Sequence, residues 1–259
     1  MISRAYDGLI RMHLKGAENS VMILWYIAAF TAYFVKGLCG FANTLIFTTI
    51  LSFDAANASI SPVDVVLGYP ANLILTWKNR RSLDPKVFLP LAILVLAGSI
   101  PGALMLRNVD ARSIKLVFGL VVIALGVEML ARECGKKRAR SSKLVLAIIG
   151  VTAGMLCGLF GVGALLAAYV NRVTENDDSF KANISTVFIV DNTFRIILYK
   201  ALGLLTLDTL KSAILLIPFA LAGLFTGMKC CGYMNEKNVR KITTVLLILS
   251  GISLILKNL

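Results

Sequence analysis

The sequence predicts an all-α polytopic membrane protein, and composition, segment length and periodicity all point to this fold class. Of the 259 residues, 58% are apolar and 16% are charged, and the mean hydropathy is +0.80. Soluble domains average about 45–50% apolar and about 25% charged residues. Eight apolar segments approach or exceed the ~20 residues that a spanning helix needs, and none alternates like a barrel strand. The segments are Val21–Ser52, Pro62–Trp77, Val87–Leu106, Ile114–Ala131, Leu144–Val170, Ala182–Tyr199, Leu210–Met228 and Val239–Leu256.

The first and fifth segments are too long for one straight crossing. Val21–Ser52 would measure ~48 Å as a continuous helix at 1.5 Å per residue, whereas the hydrocarbon core is about 30 Å thick. Glycines interrupt this segment at Gly37–Phe41, and they interrupt Leu144–Val170 at Gly154–Gly163. Glycine adopts backbone conformations that other residues resist. We therefore expect a break or a re-entrant hairpin in each segment.

The two halves of the chain match in order, which predicts an internal repeat. The matching positions are 37–41 with 155–159, Asn72 with Asn192, Leu83-Asp84 with Leu207-Asp208, Gly98 with Gly223, and Gly102 with Gly227. We expect the two GxxxG pairs to pack helices closely. The predicted organisation is a polar N-terminal segment (1–20), repeat 1 (21–131), a basic cytoplasmic linker (132–143) and repeat 2 (144–259).

Duplicated halves that are broken at the same place predict a secondary transporter with its substrate site near mid-membrane. If both broken segments span, the halves are parallel; if both return as hairpins, the halves are inverted. The positive-inside rule scores the two topologies equally, and both put residues 78–81 and the linker in the cytoplasm. The excess length in the first segment of each half slightly favours inverted halves.

The net charge is +13, from 27 Lys and Arg against 14 Asp and Glu. The cations cluster between apolar segments, at 78–81 and 136–140. This clustering is typical of cytoplasmic loops, so we expect anionic lipid headgroups rather than nucleic acid as their neighbours.

No catalytic chemistry is visible in the residue inventory. The five cysteines form no CxxC and the only histidine is His13, so we expect no disulfide framework, metal site, cofactor or His-based catalytic site. No glycine loop ends in GK[ST], so ATP does not drive transport by this chain alone. The alternatives to a carrier are an anion channel and a structural or accessory membrane subunit.

Ionisable residues at membrane depth are rare and indicate function. Lys36 stands at the first break, where it would form an anion site with free backbone N–H groups; a snorkelling lysine is the alternative. Arg195 follows Asp191 by one helical turn. The two form an intrahelical ion pair, or Arg195 binds an oxyanion while Asp191 orients it or carries a coupling proton. Asp64 and Glu128 lie near segment ends, so we expect them at the interface.

Asparagine side chains complete the predicted site, because an amide can donate two hydrogen bonds to a substrate oxygen. Helix association by these amides is the alternative. Tyr69, Thr193 and Tyr199 are candidates for lining the same space. The predicted substrate-binding residues are Lys36, Gly40, Asn43, Thr44, Asn72, Gly158, Gly161, Gly163, Asn192 and Arg195, with Asp191 as the ion-pair or coupling residue.

The stretches Gly37–Phe41 and Gly154–Gly163 resemble the glycine-rich opening motif of each half in the TauE/SafE family of bacterial and archaeal sulfite and organosulfonate exporters. The resemblance runs from about residue 25 to 256 and includes the Leu83-Asp84 and Leu207-Asp208 turns. It implies a multi-pass protein of the cytoplasmic membrane that moves sulfite or a sulfonate without ATP, and it leaves a homo-oligomer open.

The sequence departs from the family pattern at both breaks. Ala42-Asn43 stands where the first half usually has a glycine run, and the proline that often follows Gly163-Ala164 is missing. These departures leave open how far the backbone opens and which anion is bound.

Overall fold

Helices account for the regular secondary structure in the part of the chain that the computed structural model describes. That part comprises residues 22–51, 57–108, 173–174 and 176–233, with single positions between 116 and 170 and between 241 and 256. We number the longer described helices in chain order: α1 (Met22–Cys39), α2 (Asn43–Leu51), α3 (Asn57–Lys78), α4 (Pro85–Asn108), α5 (Asp177–Ala201) and α6 (Leu207–Cys231). A short 3₁₀ helix, Arg80–Ser82, stands between α3 and α4.

Three of these helices contain stretches long and apolar enough to cross a membrane: Met22–Cys39, Pro85–Gly102 and Leu207–Cys231. The second, third, sixth and seventh apolar segments fall within α3, α4, α5 and α6, which confirms them as helices. The fourth, fifth and eighth segments, both termini and the linker 132–143 lie wholly or mostly outside the described residues.

Side-chain caps define where α5 and α6 begin. The Asn176 side-chain oxygen accepts a hydrogen bond from the Ser179 N–H (2.8 Å), and Thr206 accepts one from the Thr209 N–H (3.2 Å). These bonds satisfy donors that have no partner within the helix. The turn between α5 and α6 is short, because α5 ends at Ala201 and the cap at Thr206 starts α6 five residues later. Gly203 (φ +71°) takes a left-handed conformation in this turn.

The first apolar segment is broken where its glycines predict a break. Gly40 (φ +83°) and Ala42 (φ +71°), between α1 and α2, adopt left-handed backbone conformations. The rings of Trp25 and Phe47 meet edge-on with centroids 5.9 Å apart, although 22 residues of continuous helix would separate them by about 33 Å. Helix α2 therefore folds back along α1, as the hairpin alternative expects.

Two open cavities reveal which helix ends lie together. One, of about 210 Å³, is lined by Lys78 at the end of α3, Asp177 at the start of α5 and Cys231 at the end of α6; we call this the Lys78 end. The other, of about 380 Å³, is lined by residues near the starts of α1, α3 and α6, among them Asp208; we call this the Asp208 end. If both broken segments spanned, Asp177 and Cys231 would lie opposite Lys78. That alternative is wrong for the described helices.

Glycines let α6 approach α1 to backbone contact. A Cβ atom on Gly223 would overlap the carbonyl oxygen of Phe30, and one on Gly227 would overlap that of Phe34. Small residues at such positions are what allow membrane helices to pack closely. The predicted packing role of these two glycines is confirmed.

Helix α4 makes a corresponding contact with the second half of the chain. A Cβ on Gly98 would overlap the carbonyl oxygen of Val151 and crowd the amide nitrogen of Met155. Gly223 meets the carbonyl oxygen of Phe30 and the amide nitrogen of Phe34. In each contact a glycine packs against the first apolar segment of the other half.

Candidate functional site

A small cavity lies between the α1–α2 break, α3 and α5. Gly68, near the midpoint of α3, is in its lining, so the cavity lies about halfway along that helix. Its volume is about 20 Å³, which is room for one water molecule, since a water needs roughly 10–15 Å³. The cavity must therefore enlarge to admit a polyatomic anion. The predicted site residues in its lining are Lys36, Asn43, Thr44, Asn72, Gly163, Asp191, Asn192 and Arg195.

Lys36 is buried beside this cavity and is only 1% exposed. Its ammonium donates a hydrogen bond to the side-chain oxygen of Asn43 (2.9 Å). It also lies 5.4 Å from the centre of the Phe188 ring, within the range of a cation–π contact. The burial contradicts the alternative of a snorkelling lysine.

Asp64 is the main correction to the sequence-based site. We expected it at the interface, but it is 3% exposed and lines the cavity. Its carboxylate accepts hydrogen bonds from the Tyr33 hydroxyl (3.1 Å), the Asn43 amide (3.1 Å) and the Thr44 hydroxyl. The apolar segment starts at Pro62, but α3 begins five residues earlier, which carries Asp64 away from the helix end.

Asp191 and Arg195 form the predicted intrahelical ion pair, with 3.8 Å between Nη1 and Oδ2. The closer contacts of Arg195 are elsewhere: its Nη2 donates to the hydroxyls of Tyr199 (2.7 Å) and Ser61 (2.9 Å). Asp191 accepts a hydrogen bond from the Ser99 hydroxyl of α4. Arg195 therefore ties α5 to α3, and Asp191 ties α5 to α4.

The matching asparagines of the two halves both line the cavity. Asn72 is 1% exposed, and its side-chain oxygen has no hydrogen-bond partner among the described residues. A Cβ on Gly68 would crowd the amide of Asn192 and the hydroxyl of Tyr33. Gly68 thus leaves room for the Asn72 and Asn192 amides beside the Tyr33 hydroxyl, which is hydrogen-bonded to Asp64.

Gly163 brings the second broken segment to the cavity. A Cβ at this position would overlap the Phe188 ring, so only glycine fits without displacing the ring. The Gly163 carbonyl accepts from the Ala167 N–H (2.8 Å), just as the Ala42 carbonyl accepts from the Ile46 N–H (3.3 Å). Ala42, at the first break, and Gly163, in the fifth apolar segment, thus line the same cavity; most residues of the break predicted at Gly154–Gly163 lie outside the described part of the chain.

Several predicted residues lie elsewhere. Gly40 faces the side chain of Lys181 instead of the cavity. The Thr193 hydroxyl donates a hydrogen bond to the Tyr69 hydroxyl (3.4 Å) at an exposed position. The Tyr199 hydroxyl accepts a hydrogen bond from the Arg195 guanidinium. These four residues are not among the described lining residues, so the roles predicted for Gly40, Tyr69, Thr193 and Tyr199 stay predictions. Gly158, Gly161 and Glu128 lie outside the described residues.

Four charged side chains line the described part of the cavity, and their charges balance. Lys36 and Arg195 are the cations, and Asp64 and Asp191 are the carboxylates. All four are nearly inaccessible to solvent. Buried charges are costly unless they are paired or hydrogen-bonded, so a cluster of four at the middle of apolar helices indicates function.

Comparison with known proteins identifies the family of the chain. The family model described as sulfite exporter TauE/SafE matches residues 25–254. No curated protein and no solved structure matches the chain significantly. The match covers both broken segments and all the charged residues of the cavity, and members of this family are membrane transporters rather than enzymes. The chain therefore belongs to the TauE/SafE sulfite exporter family.

Proposed function

We propose that the protein is a secondary transporter that carries a small sulfur oxyanion or sulfonate across the cytoplasmic membrane by alternating access. The observation that carries this proposal is the convergence of two buried cations, Lys36 and Arg195, with the first residues of α2 on one small cavity. A helix N-terminus attracts negative charge because its first N–H groups have no partner within the helix. Family membership supports a sulfite- or sulfonate-type anion.

The anion would bind among the hydrogen-bond donors of the cavity. Lys36 supplies an ammonium of which only one hydrogen bond, to Asn43, lies within the described residues. The amides of Asn72 and Asn192 flank it from α3 and α5. Arg195 is more tightly held, so it would contribute mainly through its charge. A sulfite-sized anion has three oxygens, and these donors reach it from three helices.

Duplication of an inverted unit supports alternating access. Gly98 and Gly223 each pack against the first apolar segment of the opposite half, as duplicated halves would. The shared position of Lys78 and Asp177 at one end is what inverted halves require. Carriers with inverted repeats expose a central site to each side in turn by rocking one repeat against the other.

Access from the Lys78 end would open at the first break. The Phe41 and Phe180 rings meet edge-on at 6.0 Å, and Lys181, which packs on Gly40, is held by Asp177 (2.9 Å). Lys181 lines the open cavity at the Lys78 end, and Ala42, next to Phe41, lines the central cavity. We expect that parting the Phe41 and Phe180 rings would join the two cavities. The positive-inside rule makes this the cytoplasmic end, where Lys78–Arg81 would meet anionic lipids.

Flux into proteoliposomes tests the proposal. Purified protein is assayed for uptake and exchange of labelled sulfite, sulfate, thiosulfate, sulfoacetate and taurine. We expect saturable flux of at least one sulfur anion that accelerates when the same anion is present on the far side. Flux that does not saturate and does not exchange would indicate an anion channel, and no flux of any of these solutes would indicate a structural or accessory subunit.

A further inference from the structure

The start of α2 already holds an anion, namely the carboxylate of Asp64. Asn43 and Thr44 are the first two residues of α2, and both donate side-chain hydrogen bonds to Asp64. The Tyr33 hydroxyl of α1 gives a third. Asn43 also accepts from the Lys36 ammonium, so one amide joins the cation to the carboxylate. A transported anion that uses these donors must therefore compete with Asp64.

The charge balance of the cavity sharpens this competition. With Lys36 and Arg195 against Asp64 and Asp191, the described lining is neutral when all four groups are ionised. A bound monoanion would leave one uncompensated negative charge among these buried side chains. A buried group in that position takes up a proton rather than remain ionised. Like charges in one site have the same effect, since they raise the cost of the second ionisation.

We propose, on the basis of the transport function above, that Asp64 carries a coupling proton. The anion binds at the start of α2 when a proton from water has bound to the Asp64 carboxylate, and the two ions cross and are released together. The neutral carboxyl group frees the Asn43 amide and the Thr44 hydroxyl for the anion. The Asp64 oxygen gains one proton on loading and returns it to water on release, so the loaded cavity is neutral.

Asp64 is better placed for this role than Asp191. Asp64 shares its donors with the proposed anion, whereas Asp191 is held by Ser99 of α4 and by Arg195. The ionisable groups that face Asp64 in the described chain come from two helices. They are Tyr33 and Lys36 of α1 and Asp191 and Arg195 of α5; the described residues of α2, α4 and α6 add no ionisable group to the cavity.

Exchange of labelled sulfite at equal pH on both sides of the membrane tests the proposal. The half-saturation concentration is measured against pH for the wild-type protein and for Asp64→Asn. Sulfite itself takes up and releases protons identically in both experiments. A difference between the wild-type and Asp64→Asn slopes of half-saturation concentration against pH is therefore due to Asp64. On the alkaline side we expect the wild-type value to rise by about tenfold more per pH unit than the variant value, as linkage to one proton requires.

Two matched variants complete the test. Asp208→Asn changes a carboxylate that is 93% exposed, and we expect it to keep the wild-type slope. Thr44→Val keeps the shape of the side chain but removes one hydrogen-bond donor that stabilises the ionised Asp64 carboxylate. The rise of the half-saturation concentration should therefore begin at a higher pH. This variant replaces Asp64→Asn in the test if Asp64→Asn does not fold.

Some results would overturn the proposal. Equal slopes in wild-type protein and Asp64→Asn would do so, as would an unshifted onset in Thr44→Val. A slope that is lost in Asp191→Asn but kept in Asp64→Asn would assign the proton to Asp191 instead. Absence of exchange by the wild-type protein with every anion of the panel would contradict the transport function itself, and this inference with it.

Discussion

At the scale of single residues, the two buried cations are held in different ways. Arg195 has short hydrogen bonds to two hydroxyls on two helices and a longer ion pair with Asp191. Lys36 makes one hydrogen bond, to Asn43, within the described residues. A cation with fewer fixed partners reorients more easily toward an incoming anion. Lys36 is thus the better candidate for direct contact, and Arg195 for stabilising the site.

Removing Arg195 should destabilise the protein. Arg195→Ala leaves the Asp191 carboxylate buried without its cation, and breaking a buried pair from one side costs about 3–5 kcal/mol. We expect the yield of folded protein to collapse on size-exclusion chromatography. The double variant Asp191→Asn with Arg195→Gln should recover a monodisperse peak. If it also recovers transport, the pair is structural; if it folds without transporting, Arg195 contributes to binding the anion.

Lys36→Gln should weaken anion binding while the protein stays folded. The carboxylate of Asp64 retains three neutral donors in this variant, so no buried charge loses all its partners. Loss of a charge-assisted hydrogen bond costs about 1.5–3 kcal/mol, which corresponds to a half-saturation concentration about ten- to a hundredfold higher. Lys211→Gln, at an exposed ion pair, is the control. If Lys36→Gln has the half-saturation concentration of the wild-type protein, Lys36 does not contribute to anion binding.

At the scale of elements, the break between α1 and α2 determines the site. It places the first turn of α2 next to the end of α1, so that Lys36 and Asn43 meet although they belong to different helices. The hairpin also sends Phe47 back toward Trp25. Residue 40 has a positive φ in this turn. Because Gly40 has no side chain, it adopts this conformation without the strain that any other residue would incur.

Gly40→Ala should cost more than Gly203→Ala, although both glycines have positive φ. A side chain in the left-handed region costs roughly 1–2 kcal/mol at either position. At Gly40 the new methyl group would also press on the Lys181 side chain, whereas nothing lies within 4 Å at Gly203. Thermal unfolding should rank Gly40→Ala as the less stable variant, and only Gly40→Ala should slow transport. If Gly40→Ala and Gly203→Ala lose the same stability, the Lys181 side chain moves away from the new methyl group at no measurable cost.

Much of this arrangement could be predicted from the sequence. Apolar runs indicated the helices, and the glycines located the break, because both signals are local. The return of α2 could not be predicted, because the distribution of Lys and Arg fits both topologies. Asp64 was misplaced for a related reason: the residues before Pro62 are small and polar, so the start of α3 at Asn57 left no apolar signal.

At the scale of the whole molecule, helices of each half pack against the first apolar segment of the other half. Helix α6 packs on α1 through Gly223, and α4 packs on the second half through Gly98. Each half therefore holds the broken segment of the other. If the halves are inverted, a motion that opens one break toward the Lys78 end has a counterpart that opens the other break toward the Asp208 end.

Cysteine labelling from outside intact cells tests the inverted arrangement. In a background without the five native cysteines, single cysteines are placed at Arg80, Asn176 and Gly203 and treated with a membrane-impermeant maleimide. Arg80 and Asn176 lie toward the Lys78 end, whereas Gly203 precedes α6 at the Asp208 end. Because the positive-inside rule makes the Lys78 end cytoplasmic, we expect labelling at Gly203 alone, and labelling at all three positions after the cells are permeabilised. Labelling at Asn176 but not at Arg80 in intact cells would require parallel halves and would contradict the packing described here.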